Sequence, residues 1–299
     1  MRRLVLLGAT ALVAGCAASA ALAHSSKSLD GSKPGSPGKK DTACAGPLGP
    51  ITISGNLYVP SGASCQLNGT QVTGDVTVYP AASLATSSAY VKHDVLCAQA
   101  SCQLDSSQIG HDATTLAGAT LSVTSSTIGG KLECEDNGDC DVEQSAVGNQ
   151  VDVDAGAFLV ANSATIGGSV KCDRCTDAQL FNSSIKGSVK SSGQANPGLV
   201  CNNTIGGSVH FTQDGAGFLT CGGNVIRGSL HVTKDGGYIE IIGNTVGGSL
   251  HVSFDTAVQI LIFENHVRGA LVCKDDTPPP VSFANTAAHI SPACDEILL

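Results

Sequence analysis

The chain has 299 residues, with 16 Lys+Arg against 25 Asp+Glu, 36 Gly, 13 Cys, 4 Tyr and no Trp. From residue 44 onward the balance is 10 Lys+Arg against 23 Asp+Glu, a formal charge of −13. That argues against nucleic acid or an anionic membrane as a partner of the body, and the scarcity of aromatic rings argues against a sugar-stacking platform.

The first segment reads as an export signal. Arg2 and Arg3 precede the apolar run Leu4 to Ala14, and "ALA" ending at Ala23 is a small-residue cleavage site. The phrase "VAGC" also resembles a bacterial lipobox, in which Cys16 is lipidated and becomes the mature N-terminus. The domain plan is therefore a signal peptide over 1–23, or a lipoprotein signal ending before Cys16. Residues 24–43, rich in Ser, Gly, Lys and Pro, have too little to bury to offset the entropy of ordering and read as a linker. Both leaders predict an extracytoplasmic protein, either secreted or lipid-anchored at a bacterial surface, whose only membrane contact is that anchor.

The body, 44–299, is repetitive. An aliphatic residue opens a recurring phrase at Ile53, Val72, Val91, Ile109, Ile128, Val147, Ile166, Ile185, Ile205, Ile226, Val246 and Val267, at intervals of 18 to 21 residues. With that residue as position 1, position 5 is aliphatic in every copy, position 7 is mostly apolar or Cys, and position 6 is usually polar. Alternation of this kind marks a strand with one buried face. A second apolar cluster recurs near position 15, as at Leu67, Val123, Leu180, Leu199, Leu219 and Ile260. No stretch sustains a helical period. The predicted fold is all-β: a single-domain parallel β-helix, or β-solenoid, of about 12 coils, each burying its inner face because neighbours exist. Departure from a strict hexapeptide period favours a right-handed coil.

Position 3 is usually Gly and otherwise His93, His111 or Asn149, which predicts a positive-φ corner. Two residues before the leading aliphatic come Thr70, Ser107, Ser126, Ser145 and Ser183, then Asn203, Asn224, Asn244, Asn265 and Asn285. Stacked Asn side chains there predict a hydrogen-bonded ladder along the axis. The "I-x-G-x-V" phrase with small-residue turns resembles bactofilins, the polymer-forming bacterial β-helix proteins, over about residues 51–290. It is also similar to secreted, Cys-containing "N-x-V-x-G-x-L" repeat proteins of actinobacteria. The resemblance implies the solenoid and raises self-assembly as an expectation. This chain differs in its export signal, its cysteines and its capped ends, so the likeness is one of coil geometry.

Without Cys16 there are 12 cysteines, an even number that suits disulfides in an oxidising compartment. Register prunes their connectivity. Cys97, Cys134 and Cys172 share position 7 in coils two apart, too distant to pair with one another, because bridged Cα atoms lie about 4.4–6.8 Å apart. Each has a later partner in its own coil: Cys97–Cys102, Cys134–Cys140 and Cys172–Cys175. Cys201 and Cys221 share a position in adjacent coils. Cys44–Cys65 would tie the N-terminal cap, and Cys273–Cys294 the C-terminal one.

Three groups carry candidate chemistry. Position 6 stacks His210, His231 and His251 on neighbouring rungs, a row that suits Zn or Cu. Position 10 gives Asp214, Asp235, Asp255 and Asp276, read as an outward row that suits Ca²⁺ or as turn residues. Asp75, His93, Asp94, His111 and Asp112 gather at the N-terminal corners. No catalytic residue is predicted and no cofactor beyond such a divalent metal, because short coils leave little wall for the cleft that a polysaccharide-cleaving enzyme needs. The functional expectation is a structural or interaction module of a bacterial envelope, meeting envelope glycan or another envelope protein. The alternative is an extracellular polysaccharide-active or metal-binding protein.

Overall fold

A computed structural model describes residues 41–294. The leader, Cys16 and the linker as far as residue 40 lie outside the described residues. The body is an all-β parallel solenoid of about 13 turns whose strands form three sheets of 14, 13 and 12 strands. The first face carries position 5 onward (Leu57–Val59, Val76–Val78 and their successors), the second the five-residue strands such as Ser64–Asn68, and the third two-residue strands such as Thr52–Ile53. Every strand pairs with its counterpart one coil on; Val151–Asp154 meets Val170–Asp173 residue for residue.

The extra turn comes from the caps. Thr42 and Ala43, read from sequence as linker, pair with Leu57 and Tyr58, and His289–Ile290 closes the first face against Ala270–Leu271.

The interior follows the repeat. Position 5 is buried throughout, from Leu57 and Val76 to Leu250 and Leu271. Position 7 supplies the next inward side chain, including Val59, Val153, Phe211 and Val252. Position 1 supplies the one inward residue that each short third-face strand contributes, as with Val72 and Ile166. Burial of each Val, Leu or Ile is worth about 1.5–3 kcal/mol. The two largest inward rings, Phe211 and Phe218, pack at a tilt of 33° with centroids 4.0 Å apart; Phe211 fits because Gly198 lacks a Cβ, which would come closer than 3.0 Å to its ring. The second apolar cluster is sided as expected at Leu67, Val123, Leu180 and Ile260, but not at Leu199 and Leu219. There Val200 and Phe218 take the inward places, because the coils have lengthened and the alternation has shifted by one residue.

Positive φ is not what the position-3 glycines supply. Of that column only Gly55 has it, at 98°. The others are required by close approach: a Cβ on Gly187, Gly207, Gly228 or Gly269 would come closer than 3.0 Å to the backbone of the preceding coil. The left-handed residues lie at the other two corners. One column runs Ser88, Ser106, Ser125, Gln144, Ser163, Asn182 and Asn202, each just ahead of the Ser/Asn column; another includes Gln213, Lys234, Phe254 and Asp275.

The Asn ladder forms as expected. Asn203 Oδ1 accepts the Ser183 N–H at 2.8 Å, and Asn224 Oδ1 accepts the Asn203 N–H at 2.9 Å. The amides run along the axis, Asn224 Nδ2 donating to Asn244 Oδ1 at 2.8 Å and Asn244 Nδ2 to Asn265 Oδ1 at 2.9 Å. In earlier coils Ser hydroxyls do the accepting, Ser126 Oγ taking the Ser107 N–H at 2.9 Å.

All six expected disulfides form: Cys44–Cys65, Cys97–Cys102, Cys134–Cys140, Cys172–Cys175, Cys201–Cys221 and Cys273–Cys294, with Cα–Cα distances between 4.8 and 6.5 Å. Five lie wholly in the interior, and only Cys201–Cys221 reaches the surface, through Cys221. Six such pairs suit an oxidising compartment. No helix among the described residues is long and apolar enough to cross a membrane.

Candidate functional site

The histidine row sits on the outer surface of the first face. His210, His231 and His251 are each the second residue of a four-residue strand, Val209–Thr212, Leu230–Thr233 and Leu250–Ser253, and register places them directly in line. Their inward neighbours, Val209 and Phe211 in the first strand, are buried, which fixes the side from which the imidazoles project. The rings stack with centroids 4.8 Å apart and planes within 3°. Thr212, Thr233 and Ser253 form a hydroxyl column beside them. Burial, then the Lys190 ammonium, holds the His210 pKa below its ordinary value. For His231 the causes are burial, then His210 and His251.

This geometry does not converge. Parallel rings keep equivalent nitrogens one 4.8 Å rung apart, whereas two Zn–N bonds of about 2.0–2.1 Å span at most about 4.2 Å. A single ion cannot bridge neighbouring imidazoles without rotating them. What the column can do is offer imidazole and hydroxyl groups at regular intervals to a ligand lying along the face.

The same column is acidic three and four coils before His210. Glu133 and Asp152 precede Lys171 and Lys190 in line with His210. Lys131 Nζ lies 3.7 Å from Glu133 and 3.8 Å from Asp152. Glu135 and Asp154, in the neighbouring outer column, have raised pKa values, in both cases through burial first. The first face thus changes from carboxylate-rich to Lys/His-rich along its length.

At the N-terminal corners Asp75, His93, Asp94, His111 and Asp112 do come together. His93 and His111 stack at 5.2 Å, and their Nδ1 atoms lie 3.7 Å from Asp75 and 3.9 Å from Asp94. The histidines do not occupy a positive-φ corner, contrary to the expectation. The carboxylates hold the backbone of successive coils together. Asp94 Oδ1 accepts the Asp112 N–H at 2.9 Å, and Asp112 Oδ1 accepts the Lys131 N–H at 2.7 Å.

The Asp214, Asp235, Asp255 and Asp276 row is the main correction. It was expected to point outward, but Asp214, Asp235 and Asp255 are 0–1% exposed. A left-handed residue precedes each, Gln213, Lys234 and Phe254, and turns the following side chain inward against the coil before. Among the described residues no group of three or more His, Cys, Asp and Glu side chains is placed to hold a metal ion.

Sequence reasoning missed the outer columns of the second face. They are polar in early coils, with Gln103, Asp105, Ser122 and Thr124, and mostly apolar in late ones, with Leu219, Ile242, Leu261, Phe263 and Phe283, interrupted by Glu240 between Leu219 and Leu261. The Phe263 and Phe283 rings stack at 4.9 Å. The near-continuous apolar runs "YIEII" and "QILIF", in which the polar-out alternation fails, were the available signal. A shallow depression on the same face is lined by Gln103, Ser122, Asp139, Asp141 and Phe158, among others, with Ser122 in line with Asp141 and Thr120 with Asp139. Compared with known protein families, with curated proteins and with solved structures, the chain matches none.

Proposed function

We propose that this chain is an extracytoplasmic structural and interaction module of a bacterial envelope, secreted or held at the surface by lipid on Cys16, that presents its first face to envelope glycan or to another envelope protein. The supporting observation is the combination of six disulfide pairs with short, nearly loop-free coils. Such a body is rigid and durable outside the cytoplasm, and it offers flat columns rather than a walled cleft. The imidazole and hydroxyl columns at His210, His231 and His251 are the surface that a linear ligand would follow.

Expression of the full chain in a bacterial host, followed by fractionation and intact mass, tests the first half. The expected product begins at His24 or at a lipidated Cys16, with twelve cysteines inert to alkylation. A full-length cytoplasmic chain with free thiols would refute it. Co-sedimentation with purified cell-wall glycan tests the second half, and binding should fall at least tenfold when His210, His231 and His251 are all changed to Ala. Unchanged binding removes that face from the reading.

A further inference from the structure

The solenoid builds the same corner twice, once with carboxamides and once with carboxyl groups. In the Asn column, Oδ1 accepts a backbone N–H from the preceding coil while Nδ2 donates to the next Asn and to a carbonyl oxygen, as from Asn224 to Val200 at 2.7 Å. The Asp column copies the first half. Asp214 Oδ1 accepts the Gln194 N–H at 2.7 Å, Asp235 Oδ1 the Asp214 N–H at 2.9 Å, Asp255 Oδ1 the Asp235 N–H at 2.7 Å, and Asp276 Oδ1 the Asp255 N–H at 3.1 Å. The second half is missing. Oδ2 of Asp214, Asp235 and Asp255 is buried with no hydrogen-bond partner. A carboxylate oxygen cannot donate as an amide does, and a buried ionised carboxylate needs a counter-charge.

Among the described residues no counter-charge faces the column. The nearest charged groups at its C-terminal end are Asp276, Asp275 and Lys274. Asp276 Oδ2 accepts the Lys274 N–H at 3.2 Å, while the Lys274 ammonium lies 3.9 Å from Asp275 and over the Phe254 ring. Lys234, beside Asp235 in sequence, is exposed. At the other end Gln194 Nε2 donates at 3.2 Å to the buried carboxyl of Asp177, and Ser191 donates at 2.9 Å to Gln194. None of the ion pairs among the described residues includes the column. Three ionised groups in register, each about 4.8 Å from the next, would also repel one another.

We propose that Asp214, Asp235 and Asp255 form a proton-loaded ladder, with Asp235 at its centre a neutral carboxylic acid at pH 7, and that alkali loosens the coils it joins. Protonation supplies the donor that each Oδ2 lacks and removes the repulsion. Burial pushes Asp214 up to about 6, Asp255 to about 7 and Asp235 to about 8. Because each folded value lies above the ordinary aspartate value of 3.8, the folded chain holds more protons than the unfolded one. The stabilisation is complete near pH 4 and is lost as pH rises through 6, 7 and 8. Within that window each retained proton changes the folding constant by up to about tenfold per pH unit.

Carboxyl ¹³C NMR of the Asp-labelled full chain reads this directly. Three aspartate midpoints are expected at or above pH 6, against about 4 for an unperturbed aspartate. Thermal melts from pH 5 to 9 provide a second reading. The wild-type midpoint temperature should fall with pH, and Asp235→Asn, whose amide supplies the missing donor, should fall less and melt higher at pH 9. The ladder is overturned if every aspartate titrates below pH 5, or if Asp235→Asn leaves the pH slope unchanged. Elemental analysis closes the remaining route: a stoichiometric cation whose removal by EDTA lowers the wild-type midpoint would make the column a cation site and refute protonation. Should Asp235→Asn fail to fold, the wild-type titration alone decides.

Discussion

Replacing Asn224 by Ala tests whether the Asn column is a fastening or an ornament. The side chain is 1% exposed. Its Oδ1 accepts the Asn203 N–H at 2.9 Å and Asn203 Nδ2 at 3.2 Å; its Nδ2 donates to Val200 O at 2.7 Å and Asn244 Oδ1 at 2.8 Å. Truncation orphans a buried backbone N–H, at a cost of about 1–3 kcal/mol, and each further lost bond costs about 0.5–1.5 kcal/mol net. Asn203 Nδ2 keeps Leu180 O at 2.8 Å, so with the two remaining bonds the total comes to about 2–6 kcal/mol by that scale. A long repeat need not unfold as one unit, so the useful quantity is local. Hydrogen exchange should show the opening free energy of Gly198–Cys201 and Thr204–Ile205 falling by about that amount, while exposed Asn68→Ala stays within about 0.5 kcal/mol of wild type. A loss below about 1 kcal/mol for Asn224→Ala, indistinguishable from the Asn68 control, would show that the coils are held by apolar stacking alone.

Other consequences are simpler to read. Gly167→Ala places a Cβ closer than 3.0 Å to the Gly148 carbonyl, and overpacking of this kind should cost about 1–3 kcal/mol in a denaturation series; a neutral result would mean that the coils can move apart. Changing Cys44 and Cys65 together to Ser should cost about 2–4 kcal/mol, felt first as faster exchange at Thr42–Ala43 and Leu57–Val59, and unaltered protection there would deny the bridge its capping role. Imidazole NMR should place the His231 midpoint below 6.5, because burial and two neighbouring imidazoles disfavour its charge. The folded chain then takes up that proton less readily than the unfolded one, so His210 and His231 subtract stability as pH falls through 6.5, opposite in sign to the Asp column. A midpoint above 6.5 would refute the assigned cause.

What could be read from the sequence was whatever the repeat makes redundant. Strand positions and most inward columns follow from one register, because a parallel stack forces equal positions into contact; the same register pruned the cysteine pairings, although only Cys201–Cys221 joins equal positions of neighbouring coils. The misreadings arose at corners, where a single left-handed residue decides which side the next one faces. Register put Asp214 in line with Asp235, but it did not say that Gln213 and Lys234, each at φ 60°, would turn both carboxyl groups inward. The glycines misled for a related reason. Gly187 and Gly207 are demanded by the neighbouring coil's backbone, a contact far away in sequence, whereas positive φ is a local property. Leu199 and Leu219 fell on the wrong side when coil length changed. At the His row the sequence supplied the stacking but not the ring planes, and the planes are what prevent the nitrogens from converging on one ion.

The disulfides also determine how the body carries tension. Cys97–Cys102, Cys134–Cys140 and Cys172–Cys175 close loops of 5, 6 and 3 residues inside single coils, so a chain peeled from its stack would be shortened only slightly by each. The other three join successive coils across separations of 21, 20 and 21 residues. A pull on the N-terminus passes from Cys44 straight to Cys65 and leaves about 70 Å of contour length unavailable for extension. A pull on the C-terminus meets the same shunt between Cys294 and Cys273. With Cys201–Cys221 as a third shunt between them, each bridge takes one coil out of the extensible length, and the stretches 65–201 and 221–273 resist unreeling through hydrogen bonds and packing alone.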